Sequence, residues 1–130
     1  MTVPVRGAIM SKRILYISYD EQVLITRRAL LERQGYVVKS ALGFKEGMAA
    51  CADGEFHLFI LGHAVPPRDK ELLIASFRRN CAAPILSLWR RNERVLDTAN
   101  YVAFSDDPVQ FLKSVAMILV RCAAAKAQPA

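Results

Sequence analysis

The stretch HLFILG at residues 57–62 decides the fold that this sequence predicts. Its apolar residues follow one another without the polar alternation of a strand that has one face in water. The run is too short for a helix, and the turn signal Asp53-Gly54 precedes it. We therefore predict a strand from Phe56 to Leu61 that is buried on both faces and lies in the middle of a parallel sheet.

Further short apolar runs on either side of this strand alternate with helical patterns. The first helix has Asp20 as a candidate N-cap and Gly35 as a stop, and the last helix has Asp106 or Asp107 as its N-cap. Strands joined by short helical crossovers form a parallel sheet with helices on both faces. We predict an α/β fold with a doubly wound, flavodoxin-like sheet of five strands in the order 2-1-3-4-5. The other predicted strands are 14–18, 36–41, 84–89 and 101–104, and the two middle helices are 44–52 and 70–80.

Helical spacing predicts which side of each helix faces the sheet. Arg27 and Arg28 fall between the apolar positions of the first helix, so we expect them outside. Pro66-Pro67 is expected to form a loop before the third helix. The positions expected to face inward are Val23, Leu24 or Ile25, Leu30 and Leu31 in the first helix, Leu72, Leu73, Ile74, Ala75 and Phe77 in the third, and Phe111, Leu112, Val115, Ile118 and Leu119 in the last.

The composition indicates one soluble domain. The chain has 130 residues, of which 53% are hydrophobic and 23% are charged. No apolar run approaches the roughly 20 residues that cross a bilayer, so we predict no membrane role. We expect a flexible leader over 1–11, a domain over 12–122 and a disordered tail over 123–130, with either Met1 or Met10 as the natural start.

The cysteines give no sign of a metal site or a disulfide framework. Cys51, Cys81 and Cys122 are odd in number, widely spaced and without a histidine at a metal-ligand interval. We therefore predict reduced thiols in a cytoplasmic protein, without a metal or a cofactor.

The functional crevice of such a sheet lies at the carboxyl ends of its strands. The predicted strands place Tyr19, Gly62, Trp89 and Phe104 there, with His63 next in sequence to Gly62. His63 could serve as a phosphoacceptor or a base, but no acid or nucleophile is positioned beside it. Serines near the strand ends lack a GxSxG elbow, and the scattered glycines form no phosphate loop. Hydrolase and nucleotide-binding functions are therefore disfavoured.

Over residues 13–119 the chain resembles the receiver domains of response regulators, the phosphoacceptor family of two-component signalling. The opening strand runs into an acidic cluster, a helix and a Gly-Tyr turn, and Pro66 follows four residues after Gly62, as in that family. The fourth strand is led by a proline, which is also typical of receivers. The matching segments are 13–36, 57–66, 84–88 and 101–112.

The resemblance implies a set of active-site positions. A working receiver holds Mg²⁺ on a carboxylate pair after the first strand and phosphorylates an aspartate after the third. It uses a hydroxyl after the fourth strand and a lysine after the fifth. In this sequence those positions are occupied, in order, by Ser18 and Tyr19 with Asp20 beside them, Gly62, Trp89 and Phe104. The resemblance therefore predicts a degenerate receiver that is not phosphorylated, is not an enzyme and holds no metal.

The departures from the family pattern suggest how such a chain works. Trp89 and Phe104, joined by Tyr19, are expected to fill the former phosphate crevice with apolar bulk and to hold one conformation. The stretch between Trp89 and Tyr101 leaves room for one or two helical turns, so we predict a shortened fourth helix. The predicted function is that of a module that docks on a protein partner in signal transduction, with homodimerisation as one option.

Two other functions stay open at this level. The net charge of +6 favours acidic partners, and a basic side of the domain could contact nucleic-acid phosphates, although no motif for reading bases accompanies it. The aromatic crevice could instead bind a small molecule as a sensor. The residues of the predicted basic face are Arg68, Lys70, Arg78, Arg79, Arg90, Arg91 and Arg94.

Overall fold

Five parallel strands form one sheet in the order β2-β1-β3-β4-β5, which confirms the predicted fold class and strand order. In this computed structural model residues 12–90, 99–104 and 107–127 are described, the last six (122–127) through their backbone alone. The strands are β1 (Arg13–Ser18), β2 (Val37–Leu42), β3 (Leu58–Leu61), β4 (Ile85–Trp89) and β5 (Tyr101–Phe104).

Helices cover both faces of the sheet. α1 and α4 pack on one face, where Leu24, Leu31 and Phe111 belong to one core cluster. α2 and α3 pack on the other face, where Leu73 and Phe77 belong to a second cluster. The helices are α1 (Glu21–Arg33), α2 (Gly43–Cys51), α3 (Pro67–Asn80) and α4 (Pro108–Ala127).

The predicted central strand is buried on both faces. Leu58 and Ile60 point into the cluster under α1 and α4, and Phe59 and Leu61 point into the cluster under α2 and α3. The ring of Phe59 stacks on Phe77 with 4.1 Å between centroids. Each such side chain stabilises the fold by about 1.5–3 kcal/mol through its burial, so β3 anchors both layers of the domain.

The predicted helix ends are confirmed. The Asp20 carboxylate accepts a hydrogen bond from the Val23 N–H at 3.2 Å and so caps α1. At the other end of α1, Gly35 has a φ of 97°, which favours glycine after a helix. The Asp107 carboxylate accepts from the Val109 N–H at 2.9 Å and starts α4.

Most predicted inward positions of α1 and α3 are buried, but several residues differ from the prediction. In α1, Leu24 is buried and its alternative Ile25 is exposed, while Arg27 is buried with its guanidinium 4.7 Å from the centre of the Phe111 ring. This cation–π contact lets the arginine stem replace an apolar side chain at the interface between α1 and α4. In α3, Leu72 and Ala75 are exposed, while Lys70 is buried.

Two boundaries also differ. Pro67 is the first residue of α3 and does not belong to a loop, because a proline in the first helical turn loses no hydrogen bond. α4 continues to Ala127, so the tail predicted to be disordered from 123 onward is helical over its first residues. The leader over 1–11, most of the stretch between Trp89 and Tyr101 that was to hold the shortened helix (91–98), and residues 128–130 lie outside the described parts of the chain.

Candidate functional site

The carboxyl ends of the strands bring the predicted crevice positions side by side. β1 and β3 pair so that Ile17 lies opposite Leu61, and the Gly62 N–H donates to the Ile17 carbonyl at 2.8 Å. β4 and β5 pair so that Trp89 lies opposite Phe104. One rim of the sheet therefore carries positions 18, 62, 89 and 104 in neighbouring strands.

Gly62 lies tightly against the end of β1. A Cβ atom added at position 62 would lie 3.3 Å from the Ile17 carbonyl oxygen and 3.3 Å from both Cβ and Oγ of Ser18. The buried Ser18 hydroxyl donates to the Asp20 carbonyl at 3.1 Å and accepts from the Asp20 N–H at 3.0 Å. Any side chain at position 62 would therefore press on a serine that is held by the turn after β1.

A hydrogen bond between a tyrosine and an aspartate joins two elements at the rim. The Tyr19 hydroxyl donates to Oδ2 of Asp69 at 2.7 Å, which joins the turn after β1 to the first turn of α3. Burial and the bond to the Asp69 carboxylate both raise the pKa of Tyr19, burial having the larger effect. The phenol therefore stays protonated and keeps donating at neutral pH.

Two carboxylates near the rim accept hydrogen bonds within the protein. Asp20 caps α1, and Asp69 accepts the Tyr19 hydroxyl. In the described part of the chain, no three side chains of His, Cys, Asp or Glu come together as a metal site.

A buried lysine occupies the centre of the crevice. Lys70 has no exposed surface, and its ammonium group donates to the Leu88 carbonyl at 2.6 Å. The same nitrogen lies 3.7 Å from the centre of the Trp89 ring, and Trp89 is itself buried. A desolvated cation–π contact stabilises by about 2 kcal/mol, which offsets part of the cost of burying the charge.

The buried position of Lys70 contradicts two predictions from the sequence. Lys70 was predicted to lie on a basic surface, but it lies inside, because it shares the inward face of α3 with Leu73, Ile74 and Phe77. The filling of the crevice is therefore a cation with an aromatic ring, and not apolar bulk alone. The spacing of 70, 73, 74 and 77 is a helical stripe, so the periodicity of the sequence contained the signal that was missed.

The other predicted crevice residues contribute less to the filling. Phe104 lies beside Trp89 but keeps 38% of its surface exposed at the edge of the sheet. His63 is partly exposed in the loop after Gly62. Among the described residues at this end of the sheet, Trp89 and Lys70 are thus buried, and Tyr19 is partly buried.

The predicted basic face is divided. Arg68, Arg78, Arg79 and Arg90 are exposed, while Arg91 and Arg94 lie outside the described residues. Arg68 and Arg78 are ten residues apart on one helix, which corresponds to about 15 Å. The exposed Glu71 lies between them, so α3 does not present an unbroken row of positive charge.

None of the described helices combines the length and the apolar character that crossing a bilayer requires. No model of a known protein family matches the sequence, and no curated protein matches it.

Solved structures do match, and they define the class of fold. The N-terminal domain of a response regulator/sensory box/GGDEF 3-domain protein from Carboxydothermus hydrogenoformans superposes with a TM-score of 0.74 and 21% identity over 90% of this chain and 100% of that one. A two-component response regulator from Clostridium difficile gives a TM-score of 0.70 and 18% identity over 85% and 97% of the two chains. The fold is that of response-regulator receiver domains.

A third structure was solved as a complex. The response regulator TrrA from Thermotoga maritima, in complex with Mg²⁺-BeF, superposes with a TM-score of 0.67 and 19% identity over 83% of this chain and 98% of that one. At these identities the likeness concerns the fold.

Proposed function

We propose that this chain is a cytoplasmic receiver-like module of signal transduction that binds a protein partner and is not phosphorylated. The observation that carries the proposal is the content of the crevice. Gly62 offers no nucleophile at the position where receivers carry the acceptor aspartate, and at the carboxyl end of β4 the Lys70 ammonium lies 3.7 Å from the centre of the buried Trp89 ring.

The electrostatics of the crevice support this view. Phosphoryl transfer to an acceptor needs a carboxylate nucleophile and a cation that neutralises the charge on the phosphate. The cation is present as Lys70, but it is bound to the Leu88 carbonyl and covered by Trp89. The crevice is thus charged and closed without any ligand, which favours one constant conformation of the domain.

A binding surface is available on α4. Val109, Met117 and Val120 are 60%, 50% and 70% exposed and lie on the outward side of the helix. A contiguous apolar patch on a helix face is a candidate interaction surface. Lys113 and Arg121 are exposed on the same stretch.

Charge indicates the kind of partner. Two copies of α4 packed antiparallel about Met117 would bring Lys113 of one copy towards Arg121 of the other, and like charges oppose such a dimer. A different protein with apolar residues flanked by carboxylates complements the surface better. Homodimerisation is the alternative, and sedimentation of the purified protein at several concentrations distinguishes the two.

The first experiment tests phosphorylation. The protein has one tryptophan, so Trp89 fluorescence reports on the crevice directly. We expect no saturable change when beryllium fluoride and Mg²⁺ are added, and no added mass after incubation with acetyl phosphate. A working receiver treated in parallel is the positive control. A saturable response from Trp89, or an acyl phosphate on the intact protein, would refute the proposal.

Nucleic-acid binding is a second candidate, favoured by the net charge of +6 and by the exposed arginines of α3. It predicts binding of mixed-sequence DNA that weakens steeply with salt and is lost when Arg78 and Arg79 are both changed to glutamate. A small-molecule sensor is less favoured, because Trp89 and Lys70 occupy the crevice that such a ligand would use.

A further inference from the structure

The outer edge of β2 carries backbone groups that point away from the sheet. β2 is an end strand in the described strand order, with β1 on its inner side. The Val37 N–H donates to the Lys12 carbonyl at 2.8 Å, so Val37 bonds on the β1 side. Because the N–H and C=O groups of successive residues in a strand point to opposite sides, those of Val38 and Ser40 point outward.

Cavities flank this edge on the two faces of the sheet. A cavity of about 300 Å³ lies on the α1 side and is lined by Leu24, Ile25 and Leu42 together with Glu21 and Arg28. A cavity of about 230 Å³ lies on the α2 side and is lined by Ala41, Ala49 and Ala50 together with Lys39 and Asp53. Both cavities also contact Ser40 and Glu46, so they meet at the strand edge.

The charges around the edge are not balanced. Arg28 pairs with Glu32 at 3.1 Å and also donates to the Ser40 hydroxyl. Lys39 pairs with Asp53 at 2.7 Å. Within the described residues Glu21 and Glu46 form no ion pair, and Glu46 accepts the Leu42 N–H at 2.9 Å. The α1-side cavity therefore keeps an excess of negative charge, although the whole chain is positive.

We propose that the edge of β2 is a binding site for an extended peptide that carries basic side chains. Such a peptide pairs with the outward groups of Val38 and Ser40 as an added strand. Its alternate side chains point to opposite faces of the sheet, so a lysine or arginine enters the cavity beside Glu21 and Glu46 and a small apolar residue enters the cavity lined by alanines. Glu46 occupies the Leu42 N–H and ends the pairing there. This site is independent of the crevice and of the proposed function.

The probe is a dye-labelled, acetylated peptide of sequence Ala-Lys-Ala-Lys-Ala-Thr, followed by fluorescence anisotropy. Two control peptides have glutamate in place of each lysine, or proline in place of the central alanine. We expect binding of the lysine peptide, little binding of the glutamate peptide, and loss of binding with proline, which removes a backbone donor. In ¹⁵N-labelled protein the amide signals of Val38 and Ser40 should shift more than that of Val37.

The protein variants are Glu21→Gln and Glu46→Gln. Glutamine at position 46 keeps an oxygen that can accept the Leu42 N–H, so the edge retains its shape while it loses charge. We expect each variant to weaken binding of the lysine peptide about fivefold, as for an exposed ion pair. The matched control is Glu55→Gln, a carboxylate outside both cavities, which should leave binding unchanged. Equal binding of the lysine and glutamate peptides, no binding of either, or amide shifts away from β2 would overturn the proposal.

Discussion

Polar side chains at the two ends of the sheet join different elements of the fold. At the amino end Nδ1 of His57 accepts the Arg13 N–H at 2.9 Å, and the Arg13 guanidinium donates to the Glu55 carbonyl while covering the Phe56 ring. These bonds join the starts of the neighbouring strands β1 and β3. At the carboxyl end Lys70 joins α3 to β4, and Tyr19 joins the turn after β1 to α3.

The difference teaches which end of the sheet links separate elements through side chains. The amino end satisfies backbone groups of adjacent strands, as any parallel sheet requires. The carboxyl end is where parallel sheets bind ligands, and here its polar groups bind one another across separate elements. Such bonds are what the proposed function requires of a crevice that holds no phosphoryl group.

The largest expected effect comes from emptying the crevice. Trp89→Ala removes a buried ring and the partner of the Lys70 cation, so we expect a loss of about 3–5 kcal/mol in the free energy of unfolding. Urea denaturation followed by circular dichroism measures it. Trp89→Phe keeps a ring face for the ammonium group and should cost less than half as much. Equal losses for the two variants would show that the cation–π contact is unimportant.

A smaller effect is expected where Gly62 meets Ser18. Gly62→Ala should lower the free energy of unfolding by about 1–3 kcal/mol, because the Cβ atom of the alanine crowds the Ser18 side chain. Ser18→Gly removes the two crowded serine atoms, so the double variant should be more stable than the sum of the single effects predicts. Denaturation of the four proteins completes the cycle. Additive effects would mean that the carbonyl of Ile17 alone limits position 62.

One bond at each end of the sheet can be compared directly. Tyr19→Phe removes the hydrogen bond to Asp69, and His57→Ala removes the acceptor of the Arg13 N–H. Each variant should lower the free energy of unfolding by about 1 kcal/mol. Only the change at Tyr19 should alter the fluorescence of Trp89, because Asp69 and Lys70 are adjacent in α3. A comparable spectral change in His57→Ala would contradict the independence of the two ends.

The smallest effect at neutral pH is expected from Tyr16, in the middle of β1. Its buried hydroxyl has no hydrogen-bond partner among the described residues, so Tyr16→Phe should change stability by less than about 1 kcal/mol. At high pH the residue matters more. Burial raises the pKa of Tyr16 to about 12 and that of the Cys51 thiol to about 11.

The direction of this pH dependence follows from the raised pKa values of Tyr16 and Cys51. A folded-state pKa above that of the unfolded chain gives stability that is complete below the unfolded value and is lost as the pH rises through the folded value. Stability should therefore fall from about pH 9 upward, first through Cys51 and then through Tyr16. Denaturation midpoints between pH 7 and pH 11 test this, and Tyr16→Phe should flatten the decline above about pH 10. A midpoint that rises with pH would contradict it.

Much of the fold could be read from the sequence, because its signals are local. The apolar run at Leu58–Leu61 and the caps at Asp20 and Asp107 act within a few residues of themselves. The rim positions could also be located, since the ends of parallel strands meet at one edge. Position 62 was placed correctly beside the end of β1 for this reason.

The contents of the crevice were harder to anticipate. Lys70 and Arg27 look like surface residues by their charge, and each is buried because a ring on another element lies within 5 Å of its cation. Phe111 is 84 positions from Arg27 and Trp89 is 19 from Lys70 along the chain. The helical stripe of 70, 73, 74 and 77 indicates that Lys70 faces inward, but no local pattern records which ring either cation will meet.

The sequence by itself determined the order and type of the elements, and it indicated that Ser18, Gly62, Trp89 and Phe104 lie at the carboxyl ends of the strands. Only the tertiary structure decided that Lys70 from α3 and Tyr19 from the turn after β1 meet at the same crevice. Backbone periodicity is a property of neighbouring residues, whereas the burial of a charge depends on partners that folding brings together from distant parts of the chain.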